Sequence, residues 1–166
     1  MILENEVGLN SFRNEWQKAS VSILYTYGFL SNGYESFFKK FNMTGQQYNA
    51  LRILRDQYPK PVSTSFLREK MLDKMSDASR LVSRLNAKGL VEVSQNKSDK
   101  RLVNILISQK GHQIISSIDS SLSELDEMLK SLTEEEATTL VELLYKVRGS
   151  IKTVEERILE KEQVNV

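Results

Sequence analysis

The chain of 166 residues contains no cysteine, only one histidine and only two prolines. Without cysteine it cannot form a disulfide, a thiolate metal site or a redox-active thiol. The single histidine, His112, cannot build a histidine-rich metal site. The seven glycines form no phosphate-binding loop. We therefore expect neither a metal ion nor a cofactor.

Patterns typical of enzymes and of membrane proteins are also absent. The carboxylates are scattered over polar stretches, and no nucleophile stands in a recognisable arrangement with a base. The uncharged run at residues 19–34 is shorter than the ~20 strongly apolar residues of a membrane span. The N-terminus carries Glu4 and Glu6 and does not resemble a signal peptide. These features predict a soluble, cytoplasmic protein without catalytic residues and without a membrane partner.

Charge is nearly balanced over the whole chain but unevenly distributed along it. The formal net charge is +1, whereas residues 60–110 contain eleven Lys and Arg against five Asp and Glu, a net charge of +6. Residues 111–166 contain six against twelve, a net charge of −6. A basic middle segment is expected of a protein that binds phosphates, and acidic flanks discourage non-specific binding elsewhere.

The basic segment contains the pattern of a helix with a polar reading face. This helix is predicted over Asp77–Lys88, with Ser76 as N-cap and Gly89 as its stop. Its apolar residues at helical spacing are Ala78, Leu81, Val82 and Leu85. Its opposite face carries Asp77, Ser79, Arg80, Ser83, Arg84 and Lys88. Hydrogen-bonding side chains from the first turn onward favour contact with DNA base edges in the major groove. An ordinary solvated face, with Asp77 paired to Arg80 or Arg84, is the alternative.

Further elements are predicted on either side of this helix. Upstream, Ser63 and Thr64 can cap a short helix over Ser65–Met71, whose first turn offers free N–H groups to a phosphate. Downstream, the β-branched segments Leu90–Ser94 and Arg101–Ile107 predict a two-stranded hairpin. Two helices followed by a hairpin predict a helix-turn-helix unit with a β wing, which binds duplex DNA.

The turn of this hairpin is basic. It carries Lys97, Lys100 and Arg101 together with Ser98 and Asp99. A projecting basic tip can follow phosphates or enter a minor groove. Asp99 would then pair with Arg101 or cap the turn, which orients the guanidinium. A charged turn is also common on proteins of other functions, so the tip supports the DNA-binding hypothesis only together with the helix.

Apolar residues at helical or heptad-like spacing flank this unit on both sides. Residues from Leu9 to Phe41 predict one long helix, and a capping box of Thr44 with Gln47 begins the next helix, Gly45–Gln57. Near the C-terminus, two helices are predicted on either side of a turn with a second capping box, from Thr133 to Glu136. Their apolar seams are Ile115, Ile118, Leu122, Leu125, Leu129 and Leu132, then Leu140, Leu144, Val147, Ile151, Val154 and Ile158.

This apolar length exceeds what one small chain buries comfortably. It predicts a two-fold homodimer that reads a pseudo-palindromic operator with half-sites about one helical turn, roughly 10 bp, apart. A monomeric helical hairpin is the alternative.

Three segments resemble the MarR (multiple antibiotic resistance regulator) family of winged helix-turn-helix regulators. They are Met43–Leu54, Ser76–Val91 and the wing segment Ser98–Arg101. The resemblance implies that Ser76, Asp77, Ser79, Arg80 and Ser83 face the major groove, and that Arg101, held by Asp99, enters the minor groove. Two departures are visible. Val93 stands where the family often has Arg, and residues 109–111 are Gln-Lys-Gly where acidic residues are usual.

The resemblance also implies a fold, a function and an effector. The expected fold is mainly α with a small β-hairpin wing (α+β). Residues 1–42 and 111–166 are expected to form dimerisation helices around a DNA-binding unit at 43–110. The expected function is a sequence-specific transcriptional regulator, a repressor released by a small amphipathic or aromatic ligand. Candidate ligand-binding residues are Trp16, Tyr25, Tyr27, Phe29 and Tyr48, although aromatic residues at helical spacing are often plain core. Alternatives are a winged-helix protein-interaction module, and a metabolite-binding helical protein that has lost its operator.

Overall fold

The structure is a computed structural model that describes residues 3–73, 77–96 and 102–164, of which 157–164 by backbone only. The chain divides into two compact units, Met1–Leu125 and Asp126–Val166. The elements before the wing are α1 Leu3–Val7, α2 Glu15–Lys39, α3 Gly45–Gln57, α4 Thr64–Lys70 and α5 Ala78–Ala87. The elements from the wing onward are β1 Val91–Gln95, β2 Val103–Ile107, α6 Gln109–Asp119, α7 Ser123–Asp126 and α8 Glu134–Val164. The predicted fold class, mainly α with a β-hairpin wing, is confirmed.

The wing is a single antiparallel pair of strands. Val91 lies opposite Ile107 and Gln95 opposite Val103, so the strands meet in register without a bulge. A third segment joins the sheet through an isolated bridge between Val62 and Ile105, whose backbone hydrogen bonds measure 3.0 and 2.9 Å. The hairpin is therefore attached to the chain that leads into α4.

Both predicted capping boxes are confirmed. The Thr44 hydroxyl accepts from the Gln47 N–H at 3.2 Å, while the Gln47 side chain accepts from the Thr44 N–H at 3.2 Å. The Thr133 hydroxyl accepts from the Glu136 N–H at 3.2 Å, and the Glu136 carboxylate accepts from the Thr133 N–H at 2.8 Å. Each pair satisfies two N–H groups that a helix start leaves without an intrahelical partner.

Two predicted long helices prove to be interrupted. The N-terminal one begins only at Glu15, because Asn14 caps it by accepting from the Gln17 N–H at 2.9 Å. The preceding α1 is a separate helix, whose Glu4 pairs with Lys18 of α2 at 3.0 Å. The C-terminal one, predicted through Leu132, stops at Asp119. Serines explain this stop, since they compete for backbone hydrogen bonds: the Ser120 hydroxyl donates to the Ser117 carbonyl at 2.7 Å.

The core of the first unit lies under α5 and the wing. It combines the end of α2, one face of α3, the apolar residues of α4 and α5, both strands and α6. The predicted stripe of α5 is confirmed, because Ala78, Leu81, Val82 and Leu85 are all buried. Burying four apolar side chains holds the other face of this helix toward solvent.

The C-terminal end of α5 is closed by a Schellman motif, as Gly89 in the sequence suggests. Gly89 has a φ of +70°, and its N–H donates to the Asn86 carbonyl at 2.8 Å. The Leu90 N–H donates to the Leu85 carbonyl at 2.9 Å, and Leu90 itself is buried. A left-handed glycine and a following apolar residue are the two requirements of this motif.

The first turn of α6 packs directly on that motif. The Ser108 hydroxyl donates to the Gly89 carbonyl at 2.7 Å and accepts from the Gly111 N–H at 3.0 Å. A Cβ atom at Gly111 would lie 2.2 Å from the Leu90 carbonyl oxygen and 2.7 Å from Cγ1 of Ile107. Position 111 therefore requires glycine for a close backbone approach.

We expect Gly111→Ala to lower the free energy of unfolding by about 1–3 kcal/mol, because the added methyl group must push two packed segments apart. Gly28→Ala is the matched control, since it lies within α2 and nothing lies within 4 Å of its Cβ position. That change should stabilise the protein by up to about 1 kcal/mol. Urea unfolding followed by circular dichroism measures both, and equal stabilities for the two variants would contradict the close approach.

Candidate nucleic-acid interface

The solvent-facing side of α5 is polar along its whole length. Ser79, Arg80, Ser83 and Arg84 are all exposed, and the Arg80 side chain is 81% exposed. The Ser83 hydroxyl donates to the Ser79 carbonyl at 3.0 Å, which leaves its lone pairs as acceptors. The face thus offers two guanidinium groups and two hydroxyls to a partner in solvent.

The start of α5 differs from the prediction in one respect. Its N-cap is Asp77, not Ser76, and the Asp77 carboxylate accepts from the Arg80 N–H at 3.1 Å. A carboxylate in this position is also favoured by the positive end of the helix dipole. Ser76 itself lies outside the described residues.

Asp77 also pairs with the Arg80 side chain, as the alternative interpretation of this face foresaw. Its second oxygen lies 3.1 Å from Nε of Arg80. Within the described part of the chain, the terminal Nη1 and Nη2 atoms have no hydrogen-bond partner. The pair therefore holds the guanidinium while leaving its outer edge open, and both oxygens of Asp77 are occupied. This arrangement favours Arg80 over Asp77 as the group that reads a base.

A cavity of about 460 Å³ lies between α4, the start of α5 and the wing. Its lining brings together four predicted DNA-binding residues, Thr64, Ser65, Asp77 and Ser79. It also includes Arg68, which the sequence analysis missed. The signal for Arg68 was its place on the short helix that precedes α5, since a basic residue there can face the same surface. Ser63 precedes these residues as the N-cap of α4, and its hydroxyl accepts from the Phe66 N–H at 3.1 Å.

The predicted tip of the wing, Lys97, Ser98, Asp99, Lys100 and Arg101, lies outside the described residues. The strands that lead to it are described, and the Asn96 N–H donates to the Leu102 carbonyl at 3.0 Å beside it. Val93, one of the two positions that depart from the family pattern, is exposed on β1.

The sequence of this region matches a known family. The family model of MarR matches residues 43–103, which include α3, α4, α5 and β1. These residues form a MarR family domain. Proteins of the family are DNA-binding transcription regulators.

Three solved structures are similar over most of this chain. A MarR-like transcription regulator from Bacillus cereus has a TM-score of 0.73 at 22% identity, covering 82% of this chain and 97% of its own. A MarR mutant from E. coli complexed with operator DNA has a TM-score of 0.72 at 24% identity, covering 83% and 99%. The S. aureus MepR–DNA complex has a TM-score of 0.67 at 20% identity, covering 84% and 99%. At these identities the likeness establishes the MarR fold. No curated protein sequence matches the chain significantly.

Other features of the described residues bear on partners. Every helix in the described ranges is too short or too polar to cross a lipid bilayer. Among the described side chains, no group of three His, Asp or Glu residues could hold a metal ion.

The predicted ligand-binding aromatic residues lie in different surroundings. Trp16, Tyr27 and Phe29 are exposed on α2 at 82%, 66% and 63%, and Tyr25 contacts Phe29 edge to face at 5.1 Å. Tyr48 instead stacks on Phe38 at 5.0 Å, and Phe38 is 22 residues, about 33 Å of helix, from Trp16. One pocket within one chain cannot use both ends of α2, so a ligand role for the whole set stays a prediction.

Tyr48 belongs to a polar cluster that joins α3 to α6. Its hydroxyl donates to Oδ1 of Asp119 at 2.9 Å, and Arg55 pairs with the other oxygen of the same carboxylate. Burial, and then the hydrogen bond to Asp119, raise the pKa of Tyr48 to about 12. The hydrogen bond to Asp119, and then its negative charge, raise the pKa of Arg55 as well. This cluster holds α6 against α3.

We expect Tyr48→Phe to lower the free energy of unfolding by about 1 kcal/mol at pH 7, because it keeps the ring and removes one hydrogen bond. The folded-state pKa of Tyr48 lies above the ordinary value of 10, so its contribution is complete below pH 10 and is lost as the pH rises toward 12. Denaturant unfolding at pH 7 and pH 11 measures this effect. Tyr27→Phe, at an exposed tyrosine, should change neither value, and a pH-independent difference for Tyr48→Phe would contradict the assignment.

Proposed function

We propose that this chain is a dimeric, sequence-specific regulator of transcription that binds duplex DNA through α5 and the wing. The observation that carries the proposal is the solvent-facing side of α5. There Asp77 pairs with Nε of Arg80, and the terminal nitrogens of the Arg80 guanidinium stay accessible to a partner. The operator-DNA complex of the similar E. coli protein supports the same use of the fold. In this proposal Arg80 and Arg84 contact guanine or phosphate, and Ser79 and Ser83 contact base edges or phosphates.

The surrounding residues position the reading helix on the backbone. Thr64, Ser65 and Arg68 line the cavity beside the start of α5, where a phosphate of the same groove would lie. The basic tip around Arg101 would follow the adjacent minor groove. A regulator that covers promoter DNA in this way competes with polymerase, so we propose that the protein is a repressor. We also propose that binding of a small-molecule ligand releases it from the DNA.

Two variants separate base reading from phosphate binding. Arg80→Ala should cost about 1–3 kcal/mol on a selected operator and relax the preference for one base pair. Arg68→Ala should weaken binding about equally on operator and unrelated duplex, and should flatten the salt dependence. Operators come from selection of bound genomic fragments, and fluorescence anisotropy across a salt series measures the affinities.

Lys146→Ala, on the side of α8 away from Val147 and Ile151, is the control and should leave DNA affinity unchanged. If Arg80→Ala kept full affinity and full base preference, α5 would not be the recognition helix. Affinity that does not fall with rising salt would count against duplex DNA as the partner.

The dimer is proposed from α8 itself. In residues 126–156 no side chain is buried, although α8 carries Val141, Val147, Ile151 and Val154 with exposures from 39% to 62%. A long amphipathic helix without a single buried side chain on its apolar face is not stable alone in water. A second copy of the chain supplies the same face by two-fold symmetry, and two reading helices suit a pseudo-palindromic site.

We expect the wild-type protein to sediment at twice its chain mass of 19.1 kDa at micromolar concentration. Val147→Glu combined with Ile151→Glu places two charges in the apolar face, which should shift the protein toward monomer. Thr153→Glu lies on the opposite side of α8 and should leave the dimer intact. Sedimentation equilibrium measures all three, and a monomeric wild type would refute the proposed dimer.

A further inference from the structure

The two arginines on the reading face of α5 are held differently. Both are exposed, but Nε of Arg80 lies 3.1 Å from Oδ2 of Asp77, whereas Arg84 forms no salt bridge with any described residue. An unpaired guanidinium can turn toward any acceptor, and most of the acceptors that proteins contact on duplex DNA are phosphate and sugar oxygens. The pairing therefore restricts Arg80 in a way that Arg84 is not restricted.

The carboxylate of Asp77 is itself fixed by two hydrogen bonds from one residue. Oδ1 accepts from the backbone N–H of Arg80 at 3.1 Å as the N-cap of α5, and Oδ2 receives Nε of the same arginine. Because the backbone anchors the carboxylate, the carboxylate limits the rotation of the guanidinium. The terminal nitrogens that remain are the ones that form paired hydrogen bonds with O6 and N7 of guanine.

Asp77 also lies where a phosphate of the groove is expected. It lines the same cavity as Thr64, Ser65 and Arg68, and it is the only acidic side chain among the described residues of that lining. Its side chain is 55% exposed, so its charge faces the partner. A carboxylate next to a phosphate costs free energy through like-charge repulsion. Asp77 thus opposes DNA binding unless Arg80 forms a contact that offsets this cost.

We propose that Asp77 is a specificity-determining residue that acts through Arg80. On unrelated duplex, Arg80 must leave Asp77 to reach a phosphate, and the carboxylate is then left unpaired beside the DNA backbone. On the operator the pair stays intact while the outer edge of the guanidinium bonds to a guanine. Such a residue costs total affinity and increases the difference between correct and incorrect DNA. This role rests on the proposed function, because it concerns the same interface.

Asp77→Asn and Asp77→Ser are the test variants. Asn and Ser remain good N-caps, and neither keeps the second carboxylate oxygen that receives Nε of Arg80. Fluorescence anisotropy over a salt series measures affinity for the selected operator, for operators with single base-pair changes and for unrelated duplex. We expect the affinity for unrelated duplex to rise about tenfold, with a salt dependence steeper by about one phosphate contact. Affinity for the operator should change less than about threefold, so that specificity falls.

Two controls separate this role from simpler ones. Glu142→Gln removes one negative charge from the polar side of α8, where it is exposed, and should change neither affinity. In an Arg80→Ala background, Asp77→Asn should leave the remaining base preference unchanged, because a residue that acts through Arg80 has nothing left to orient. Circular dichroism melting confirms that the variants are folded. An unchanged ratio of operator to unrelated affinity in both Asp77 variants overturns the proposal, and a base preference that falls further in the double variant overturns the action through Arg80.

Nitrogen–proton NMR of the free protein tests the pair without DNA. The Nε–H of Arg80 should exchange with water more slowly than that of Arg84, and Asp77→Asn should remove this difference. If the two groups exchange equally fast in the wild type, Asp77 does not orient Arg80, even in a protein that binds its operator normally. If the protein binds no duplex at all, the proposed function fails and the specificity role fails with it, whereas the exchange rates still show whether Asp77 holds Arg80.

Discussion

The close approach of α6 to the end of α5 is the constraint on which the rest of the first unit depends. The backbone of Leu90 lies so near Gly111 that no Cβ fits between them, and Ser108 bonds to both sides of the contact. Because the apolar stripe of α5 is also buried, the helix is held both at its end and along its length. Its outward face is therefore presented in one orientation. A reading helix needs that rigidity, since base recognition depends on placing side chains accurately.

The departure of residues 109–111 from the family pattern acquires a physical meaning in this contact. Acidic residues would suit the positive end of a helix dipole, yet here Lys110 bonds to the Lys88 carbonyl at the negative end of α5. The chain loses a favourable dipole interaction at one helix start and gains a tie between two helices.

The first unit contains two polar clusters with different roles, the Asp77–Arg80 pair and the group of Tyr48, Arg55 and Asp119. Asp77 and Arg80 are exposed, so their pairing contributes little stability and serves mainly to orient a guanidinium. Tyr48, Arg55 and Asp119 are partly buried and span α3 and α6, so their hydrogen bonds are made in a less polar surrounding. The first cluster suits an interface with a charged partner, and the second suits a fixed internal joint. In the second unit the exposed apolar face of α8 has the character of an interface between protein surfaces.

Local signals in the sequence were sufficient for the capping boxes, the stripe of α5, its glycine stop, the wing strands and the basic character of the central segment. Each of these depends on residues within a few positions of one another. Tertiary structure alone decided that Arg68 joins the candidate interface, that Lys110 reaches the Lys88 carbonyl, and that Tyr48 meets Asp119, 71 residues away. Those outcomes depend on contacts between distant segments, and a periodic pattern records which face of a helix is apolar but not which neighbour covers it.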